Sequence, residues 1–435
     1  GPEGCRLARM RNREEERWKI FVLGRYLGGC WPRLEIAFKK AASAAFFVVC
    51  PYLLFANAYM GFFSYNFQSF NLMKESFLAS ANKTYSVPSR DNNINFLRFI
   101  AASLVIWFHM ASLLVIPEPY IMGQGLGPIA VNIFFVLSGY LIAKSWSRSS
   151  SFGSYLIRRI ARIFPGLAVV VLLSVFVMGP AVTSLSMGDY FGDPDTWKYL
   201  SLIVLAPIEN ALPGVFDTNL LPYAVNGSLW TLRYEFLAYL LTPLLYVVTK
   251  RLGKGRKLVF AAVLFALVLV HFLSYSGVFP LPKVLDNLFR LFAYYMAGVA
   301  VFELGLDKYC DSQFAVVALL VIIVFRDEVG FFSSLIMFVC VCTFTLGFSL
   351  TSNPRFAPCF KKNDYSYGIY IYAFPIQQCV VWLGGASLPY AYLSCSAISF
   401  VVTLLFAIAS WFLVEKPAMD AGRKIAKKWS SRRAG

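Results

Sequence analysis

The chain alternates between long apolar blocks and short polar connections. Windows of about nineteen residues, the usual length for detecting transmembrane helices, separate ten apolar blocks. Most approach the roughly 20 residues with which an α-helix crosses a bilayer. The pattern predicts an all-α fold, a polytopic transmembrane helix bundle of about ten spans. The blocks cover residues 96–115, 128–146, 164–180, 229–248, 258–275, 288–304, 314–325, 331–350, 365–382 and 391–414.

Two apolar segments are shorter than the rest. Residues 314–325 fit a tilted helix or one buried in the bundle. Residues 199–206 are too short to cross a bilayer. We interpret them as a re-entrant or interfacial piece.

The composition supports membrane insertion. Hydrophobic residues make up 58% of the chain and charged residues 14%, against about 45–50% and about 25% in soluble domains. The formal charge of +17 would also fit a nucleic-acid-binding protein. However, the positive residues lie between the apolar blocks, where they meet lipid headgroups. We therefore expect a lipid bilayer and no nucleic acid as a partner.

The loops alternate in charge. Lysine and arginine are concentrated in residues 144–162, 250–257, 351–364 and the C-terminal tail, and the positive-inside rule places these segments in the cytoplasm. With ten spans, both ends of the core are then cytoplasmic, and the loop over residues 181–227 lies outside.

The chain divides into three parts. Residues 91–417 hold the ten blocks and form the predicted membrane core, and residues 418–435 form a basic cytoplasmic tail. Residues 1–90 are an N-terminal extension with a possible extra apolar helix over residues 41–63. If that helix crossed the membrane, the arginine-rich stretch before it would lie outside, against the positive-inside rule. We place no function in the extension.

Cysteine and histidine give little sign of a metal site. The chain has nine cysteines and two histidines, with no CxxC pair or Cys/His cluster, so we expect neither a metal nor a disulfide framework. His271 lies near the outer end of the fifth block, and we interpret it as interfacial or structural.

The first block carries two ionisable residues, Arg98 and His109. Their separation of eleven residues is about three helical turns, so they share a face about 16 Å apart. Intramembrane charges are costly and often functional. The pair fits either an arginine at a helix end with a packing histidine, or a cation that grips an anion and an imidazole that accepts a proton.

Three arginines, Arg158, Arg159 and Arg162, precede the apolar part of the third block. The positive-inside rule alone explains their charge. Arg158 and Arg162 are four residues apart and share a helix face, and guanidinium groups suit phosphate. The cluster therefore also fits a phosphate-rich donor at the cytoplasmic surface.

Glu235 lies about two turns inside the fourth block, on the same helix face as Thr231. A carboxylate at this depth indicates a functional role or a structural pair with Arg233 or Arg290. In the second block, Ser138 and Gly139 are typical of close helix packing.

Six motifs occur in order along the chain and together carry a resemblance. They are Arg98 and His109 with ten residues between them, FFVLSGYLI at residues 134–142, Arg158-Arg159-x-x-Arg162-x-x-Pro165, SLWTLRYE at residues 228–235, YSYGIYIYAFP at residues 365–375 and EKP at residues 415–417. Over residues 91–417 the chain resembles membrane acyltransferase family 3, bacterial O-acyltransferases of the O-antigen-modifying type.

The resemblance implies a ten-span enzyme of the bacterial inner membrane. Such enzymes move an acyl group, usually acetyl, from cytoplasmic acyl-CoA to a hydroxyl of a carbohydrate or lipid-linked glycan. Arg98 and His109 match the family's essential arginine and histidine, and the Arg158/Arg159/Arg162 cluster matches a basic motif expected near the CoA phosphates. Many relatives have histidine where this chain has Ala373, so no second histidine role is assigned there.

Acyl transfer needs a base, stabilisation of an oxyanion and a grip on CoA. We expect His109 to be the base, Glu235 to orient it or balance its charge, and Arg98 to hold donor phosphate or stabilise developing charge. Four aromatic residues are candidates for acceptor binding, with packing as the alternative: Trp230, Tyr234, Tyr370 and Tyr372. The alternative functions are a multi-pass transporter or flippase, or a lipid-linked sugar polymerase or ligase.

Overall fold

The computed structural model describes residues 92–149, 151–207, 211–351, 360 and 363–431. The N-terminal extension over residues 1–90, with its possible helix over residues 41–63, lies outside the described residues. Within the described part, the only strands are a hairpin of two residues each, β1 (Tyr120–Ile121) and β2 (Gln124–Gly125). The all-α prediction is confirmed.

Fourteen α-helices lie in the described ranges. In chain order they are α1 Ile94–Leu113, α2 Leu126–Ser147, α3 Phe152–Leu173, α4 Gly179–Val182, α5 Met187–Gly192, α6 Pro194–Lys198, α7 Trp230–Val248, α8 Gly255–Tyr275, α9 Lys283–Leu304, α10 Ser312–Val324, α11 Phe331–Leu350, α12 Ser366–Trp382, α13 Ala391–Ser410 and α14 Lys416–Ser431.

Each of the ten predicted apolar blocks corresponds to a helix. Seven of the described helical segments are long and apolar enough to cross a membrane. They are Ile94–Leu113, Leu126–Ser147, Phe152–Val182, Gly255–Tyr275, Lys283–Leu304, Phe331–Leu350 and Ala391–Ser431. The other three blocks form α7, α10 and α12. The polytopic bundle is thus confirmed, whereas the number of ten spans and their orientation stay predictions.

The helix α2 lies at the centre of the bundle and packs closely against α9. Glycines on both helices permit the approach: a Cβ on Gly139 would overlap the carbonyl oxygen of Tyr295, and one on Gly298 would overlap that of Val136. The packing interpretation of Gly139 holds, because backbones this close leave no room for a side chain.

The arginine cluster lies within a helix, not in the predicted loop over residues 144–162. The helix α3 begins at Phe152, where the Ser151 side chain accepts a hydrogen bond from the Ser154 amide as an N-cap. It continues through a π-helical turn, Ser174–Met178, as far as Val182. The hydropathy pattern hid this start because polar and basic residues occupy the first three turns.

The predicted tail over residues 418–435 is also largely helical. After α13 the chain forms a π-helical turn, Trp411–Glu415, and continues directly into α14. The two helices α14 and α3 lie against each other: Gly422 faces Ala161, and Gly153 faces the Trp429 indole. Basic composition therefore does not mark a free tail here, and α14 is part of the folded core.

The long loop after α3 is partly structured. It contains α5 and α6, and an isolated bridge joins Thr183 to Val215. The short apolar segment 199–206 forms a 3₁₀ helix, Tyr199–Val204, whose Tyr199 ring is buried. Its position relative to a bilayer stays a prediction.

Candidate active site

A cavity of about 300 Å³ lies between α1, α2, α3, α7, α12 and α14. Five arginines and two carboxylates line it, so its charge is strongly positive: Arg98, Arg158, Arg159, Arg162, Arg423, Glu235 and Asp364. Five of these were singled out in the sequence from three separate blocks. We call this space the donor cavity.

Arg162 is enclosed by two carboxylates. Its Nη2 lies 2.7 Å from Asp364 Oδ2, and its Nη1 lies 3.4 Å from Glu415 Oε2. Glu415 is 1% exposed and also accepts a hydrogen bond of 3.0 Å from the Ser410 hydroxyl. Arg162 therefore joins α3 to the start of α12 and to the π-helical turn after α13.

Asp364 lies before the first residue of α12 and bridges two arginines. Besides Arg162, it lies 3.5 Å from Arg98 Nη1. Burial alone would raise the pKa of Asp364, but Arg98, Arg162 and the hydrogen bonds from Ser366 outweigh it and lower the pKa from 3.8 to about 2. The carboxylate is therefore charged at any physiological pH.

Arg98 and Arg159 keep unused donors in the buried wall. The Nε atoms of both side chains are buried and have no hydrogen-bond partner in the part of the chain that the structure describes. The Arg159 guanidinium lies 5.9 Å from the centroids of the Tyr155 and Tyr239 rings. Unpaired donors on buried cations fit an anionic ligand such as phosphate. Beside them, Arg158 donates to the Ser149 hydroxyl at 2.6 Å.

Glu235 lies on the wall of the donor cavity. Its carboxylate accepts hydrogen bonds from the Ser138 hydroxyl at 3.1 Å and from the Tyr239 hydroxyl. The alternative of a structural pair with Arg290 finds no support among the described residues, because Arg290 donates to Asn132 and Asn287, each at 3.0 Å.

Among the described residues, the hydrogen bonds of Glu235 come from Ser138 and Tyr239 and not from His109. That Glu235 orients the imidazole or balances its charge stays a prediction. The buried Nδ1 of His109 has no hydrogen-bond partner among the described residues. Its ring packs edge-to-face on Phe374 at 5.0 Å between centroids. The sequence pattern gave the position of Glu235 along its helix. It did not give the direction of the side chain, which lies in the wall of the donor cavity together with Arg98.

The six motifs converge on one place. The first five contribute Arg98, Ser138, Arg162, Glu235 and Tyr367 to the lining of the donor cavity, and the sixth contributes Glu415, which binds Arg162. Segments spread over more than 300 residues of chain thus build one polar site inside an apolar bundle.

The acyltransferase domain family matches residues 91–412, which is most of the chain. The match includes most of this site, and Glu415 and Arg423 lie just beyond it. The chain belongs to this acyltransferase family. The resemblance drawn from the motifs is confirmed, and so is the enzyme class, a transferase of acyl groups other than aminoacyl. The transporter or flippase alternative finds no support in the match.

Two curated relatives agree with the family. An O-acetyl transferase of Shigella phage Sf6 is 32% identical over 334 residues, which cover 75% of this chain and 96% of that protein. Nodulation protein 10 of Rhizobium leguminosarum bv. viciae is 26% identical over 358 residues, 75% of this chain and 93% of that protein. No solved structure matches the chain.

The four aromatic residues predicted for acceptor binding separate in the acyltransferase. The Tyr370 hydroxyl is buried, 2.6 Å from the Thr231 hydroxyl and 2.9 Å from the Ser228 carbonyl oxygen. Tyr372 packs on Phe406 of α13. Two more, Trp230 and Tyr234, pack on each other, and the Tyr234 hydroxyl donates to Val284. Of the four, only Tyr370 adjoins the site.

Several site residues escaped the sequence analysis. Asp364 and Glu415 were seen only as a loop end and as part of a motif, although they neutralise Arg162. Tyr239 and Tyr367 line the donor cavity but resemble ordinary packing aromatics. The signal available was position: Asp364 directly precedes the YSYGIYIYAFP motif, and Glu415 opens EKP.

His271 lies outside the acyltransferase site. It is buried beside Phe272, with Nδ1 3.9 Å from Asp286 Oδ1, which agrees with a structural role. Over the described ranges, no three His, Cys, Asp or Glu side chains come together as a metal-binding group.

Proposed function

We propose that this acyltransferase moves an acetyl group from acetyl-CoA to a hydroxyl of a carbohydrate acceptor, with His109 as the general base. The observation that carries the proposal is the donor cavity, whose buried Arg98 and Arg159 side chains retain unpaired donors. Arg98 lies on the same helix as His109 and about three turns from it.

The donor cavity suits the phosphates of CoA. Arg98, Arg158 and Arg159 offer guanidinium groups, which bind phosphate in a forked geometry, whereas Arg162 is already held by Asp364 and Glu415. A neighbouring cleft lined by Lys144, Arg148 and Arg158 extends the positive surface outward. These residues lie on the side that the positive-inside rule assigns to the cytoplasm, where acyl-CoA is made.

The reaction then follows from the two ends of the site. The thioester end of the donor extends toward His109 while the phosphates stay at the arginines. The acceptor oxygen attacks the thioester carbonyl carbon, and His109 Nε2 or Nδ1 takes the hydroxyl proton as the new C–O bond forms. The C–S bond breaks, and the sulfur leaves with a proton from the imidazolium as free CoA thiol. Acyl ester and CoA are the only products.

Neither carboxylate near the arginines acts as the base in this proposal. Glu235 fixes the Ser138 and Tyr239 hydroxyls on the cavity wall, and Asp364 holds Arg98 and Arg162 in place. We assign both to positioning. Arg98, with its unpaired Nε, binds a donor phosphate.

A second cleft gives the acceptor a route from the other end of α1. It measures about 380 Å³ and is lined by Leu114, Tyr390 and Tyr392, among others. The Tyr392 hydroxyl donates to the carbonyl oxygen of Trp107, two residues before His109. Tyr390 is 84% exposed, and exposed aromatic faces suit the apolar faces of sugar rings. A carbohydrate or lipid-linked glycan in the bacterial cytoplasmic membrane fits this route.

The test is acyl-CoA turnover by the purified full chain in lipid vesicles. Labelled acetyl-CoA and a glycolipid extract of the producing bacterium serve as substrates, and free CoA thiol and labelled glycolipid are measured together. We expect the two products in equal amounts. Movement of glycolipid across the vesicle membrane without release of CoA would overturn the proposal and favour a transporter.

A further inference from the structure

A small second cavity adjoins the donor cavity. It measures about 30 Å³ and shares Arg98, Glu235 and Tyr367 with the donor cavity. Its other walls are largely apolar, and we call it the neck. The residues that define it are Val131, Phe134, Thr231, Leu232 and Tyr370.

The helix α12 shows that the neck reaches further toward His109 than the donor cavity does. The neck is lined by Ser366, Tyr367 and Tyr370, whereas the donor cavity reaches only Tyr367 on this helix. Phe374, one turn after Tyr370, packs on His109. On α1, Arg98 lines both spaces, and His109 follows three turns later.

The helix α2 gives the same direction. Its donor-cavity residues, Ser138 and Ile142, lie nearer its C-terminal end, whereas Val131 of the neck lies about two to three turns nearer its start. That start adjoins the His109 region, because Gly127 lies against the ring of Phe108.

The helix α7 agrees as well. Tyr239 lines the donor cavity, whereas Thr231 lines the neck two turns earlier. The segment just before α7 reaches Phe374, since a Cβ on Gly227 would lie 2.7 Å from its ring. The helices α12, α2 and α7 therefore place the neck between the arginines and the imidazole.

The walls of the neck are held firmly. The Phe134 and Tyr370 rings meet edge-to-face with centroids 6.0 Å apart, and the Arg98 guanidinium lies 5.7 Å from the Phe134 centroid. The hydrogen bonds of Tyr370 to Thr231 and Ser228 fix its ring. Because close-packed buried side chains move little, the neck has a nearly fixed width.

We propose that the neck receives the acyl group of the donor and restricts it to acetyl, with Val131 and Leu232 as the residues that set the limit. The inference rests on the proposed function, since it assumes an acyl-CoA donor in the adjoining cavity. About 30 Å³ holds one or two water-sized groups, which is room for a methyl and a carbonyl but not for a longer chain.

The test compares acetyl-, propionyl- and butyryl-CoA in membranes that contain the full chain. Incorporation of each labelled acyl group into the glycolipid fraction gives kcat/KM. The natural protein should lose roughly 10–200-fold for the first added methylene. Val131→Ala and Leu232→Ala should raise propionyl transfer relative to acetyl by at least tenfold. Leu232→Val, a milder change, should move the ratio in the same direction.

Val136→Ala is the matched control. Val136 lies on the same helix and is fully buried. Its backbone carbonyl lies against Gly298 of α9, and it is not among the residues that line the neck. Its acetyl-to-propionyl ratio should equal that of the natural protein. Equal use of propionyl-CoA by the natural protein, or an unchanged ratio in all three neck variants, would overturn the inference.

The two proposals fail in different ways. If no acyl-CoA is consumed by the natural protein, the proposed function fails and the neck inference with it. If acetyl-CoA is consumed but the neck variants do not change the acyl preference, the neck inference alone fails. Val131→Leu tests the opposite change in neck size. A larger side chain should narrow the neck and lower acetyl transfer as well.

Discussion

Arg162 holds three segments of the chain together at the donor cavity. Its partners, Asp364 and Glu415, come from the start of α12 and from the turn after α13. A guanidinium held by two carboxylates has little charge left for a phosphate. Under the proposed function, Arg98 and Arg159, whose Nε atoms have no partner among the described residues, are the better candidates for binding the donor phosphate. The arginine cluster, interpreted in the sequence as one phosphate site, would then contain Arg162 as a structural member and Arg159 as a binding member.

Replacing Asp364 by asparagine should destabilise the protein. Asp364→Asn leaves Arg98 and Arg162 without their shared carboxylate, and breaking a buried pair costs about 3–5 kcal/mol. Because asparagine still accepts hydrogen bonds, we expect a loss at or below that range, measured as thermal unfolding in detergent. Asp327→Asn is the control, since the Asp327 side chain is 87% exposed and such pairs contribute about 0–1 kcal/mol. Equal melting temperatures for the two variants would contradict this account.

The same carboxylate predicts a pH dependence. The pKa of Asp364 is lowered from 3.8 to about 2, so its stabilising effect is complete above the higher value and is lost as pH falls toward the lower one. The stability difference between the natural protein and Asp364→Asn should be present at pH 5 and should shrink as pH falls below 4. A difference that stays unchanged down to pH 3 would show that another group is responsible.

Arg159 should act on donor binding more than on turnover. Arg159→Gln removes a charged donor to phosphate, and such hydrogen bonds contribute about 1.5–3 kcal/mol, which corresponds to a rise of roughly 10–100-fold in the KM for acetyl-CoA. We expect kcat to change much less. Steady-state kinetics with Arg326→Gln as a control checks this, because Arg326 is 68% exposed and paired with Asp327. A fall in kcat at unchanged KM would contradict a binding role.

Sequence reasoning identified the charged residues but not their partners. Helical spacing correctly put Arg98 and His109 on one helix and drew attention to Glu235. It could not show that Glu235 faces Ser138 and Tyr239, because spacing along one helix does not say which neighbouring helix lies opposite. Contacts such as Arg162–Asp364 join residues 202 apart in sequence, and only the fold brings them together.

The contact between α2 and α9 fixes the helix that carries one wall of the donor cavity. Gly139 sits at the closest approach and directly follows Ser138, which donates to Glu235. Any side chain at Gly139 would push α2 away from the Tyr295 backbone. The small residue thus determines where the next residue, and with it Glu235, is placed.

Gly139→Ala should therefore reduce both stability and activity. Overpacking a tight contact typically costs about 1–3 kcal/mol, and the displaced wall should lower acetyl transfer further than the loss of folded protein explains. Gly192→Ala is the control, because a Cβ at Gly192 meets nothing within 4 Å. Detergent-phase melting and activity per folded molecule measure the two effects. A Gly139→Ala protein as stable and active as Gly192→Ala would contradict the close-packing account.

Hydropathy located the helices well and their polar ends poorly. Every predicted block contains a helix, because apolar runs of this length have few alternatives in a bilayer. The pattern missed the first turns of α3 and the whole of α14. In both segments arginine and lysine lower the mean hydropathy, although the backbone stays helical. In both cases, the charged turns are the ones that line the donor cavity.

In the whole molecule, the two cavities and His109 follow one another along α1. The arginine-lined donor cavity lies at one end, the neck lies between, and His109 with the tyrosine-lined cleft lies toward the other. The family supplies the reaction class, and the geometry suggests how a charged donor and a carbohydrate acceptor can approach from opposite ends. The central claim is that the single imidazole between them is the base.

One measurement tests that claim most directly: acetyl-CoA turnover by the purified His109→Asn protein beside His271→Asn. Each variant removes one of the two imidazoles in the chain. Gel filtration serves as the control that both variant proteins stay folded. We predict that His109→Asn loses roughly 10²–10⁴ in kcat with little change in the KM for acetyl-CoA, while His271→Asn keeps its rate. Full turnover by His109→Asn would contradict the account.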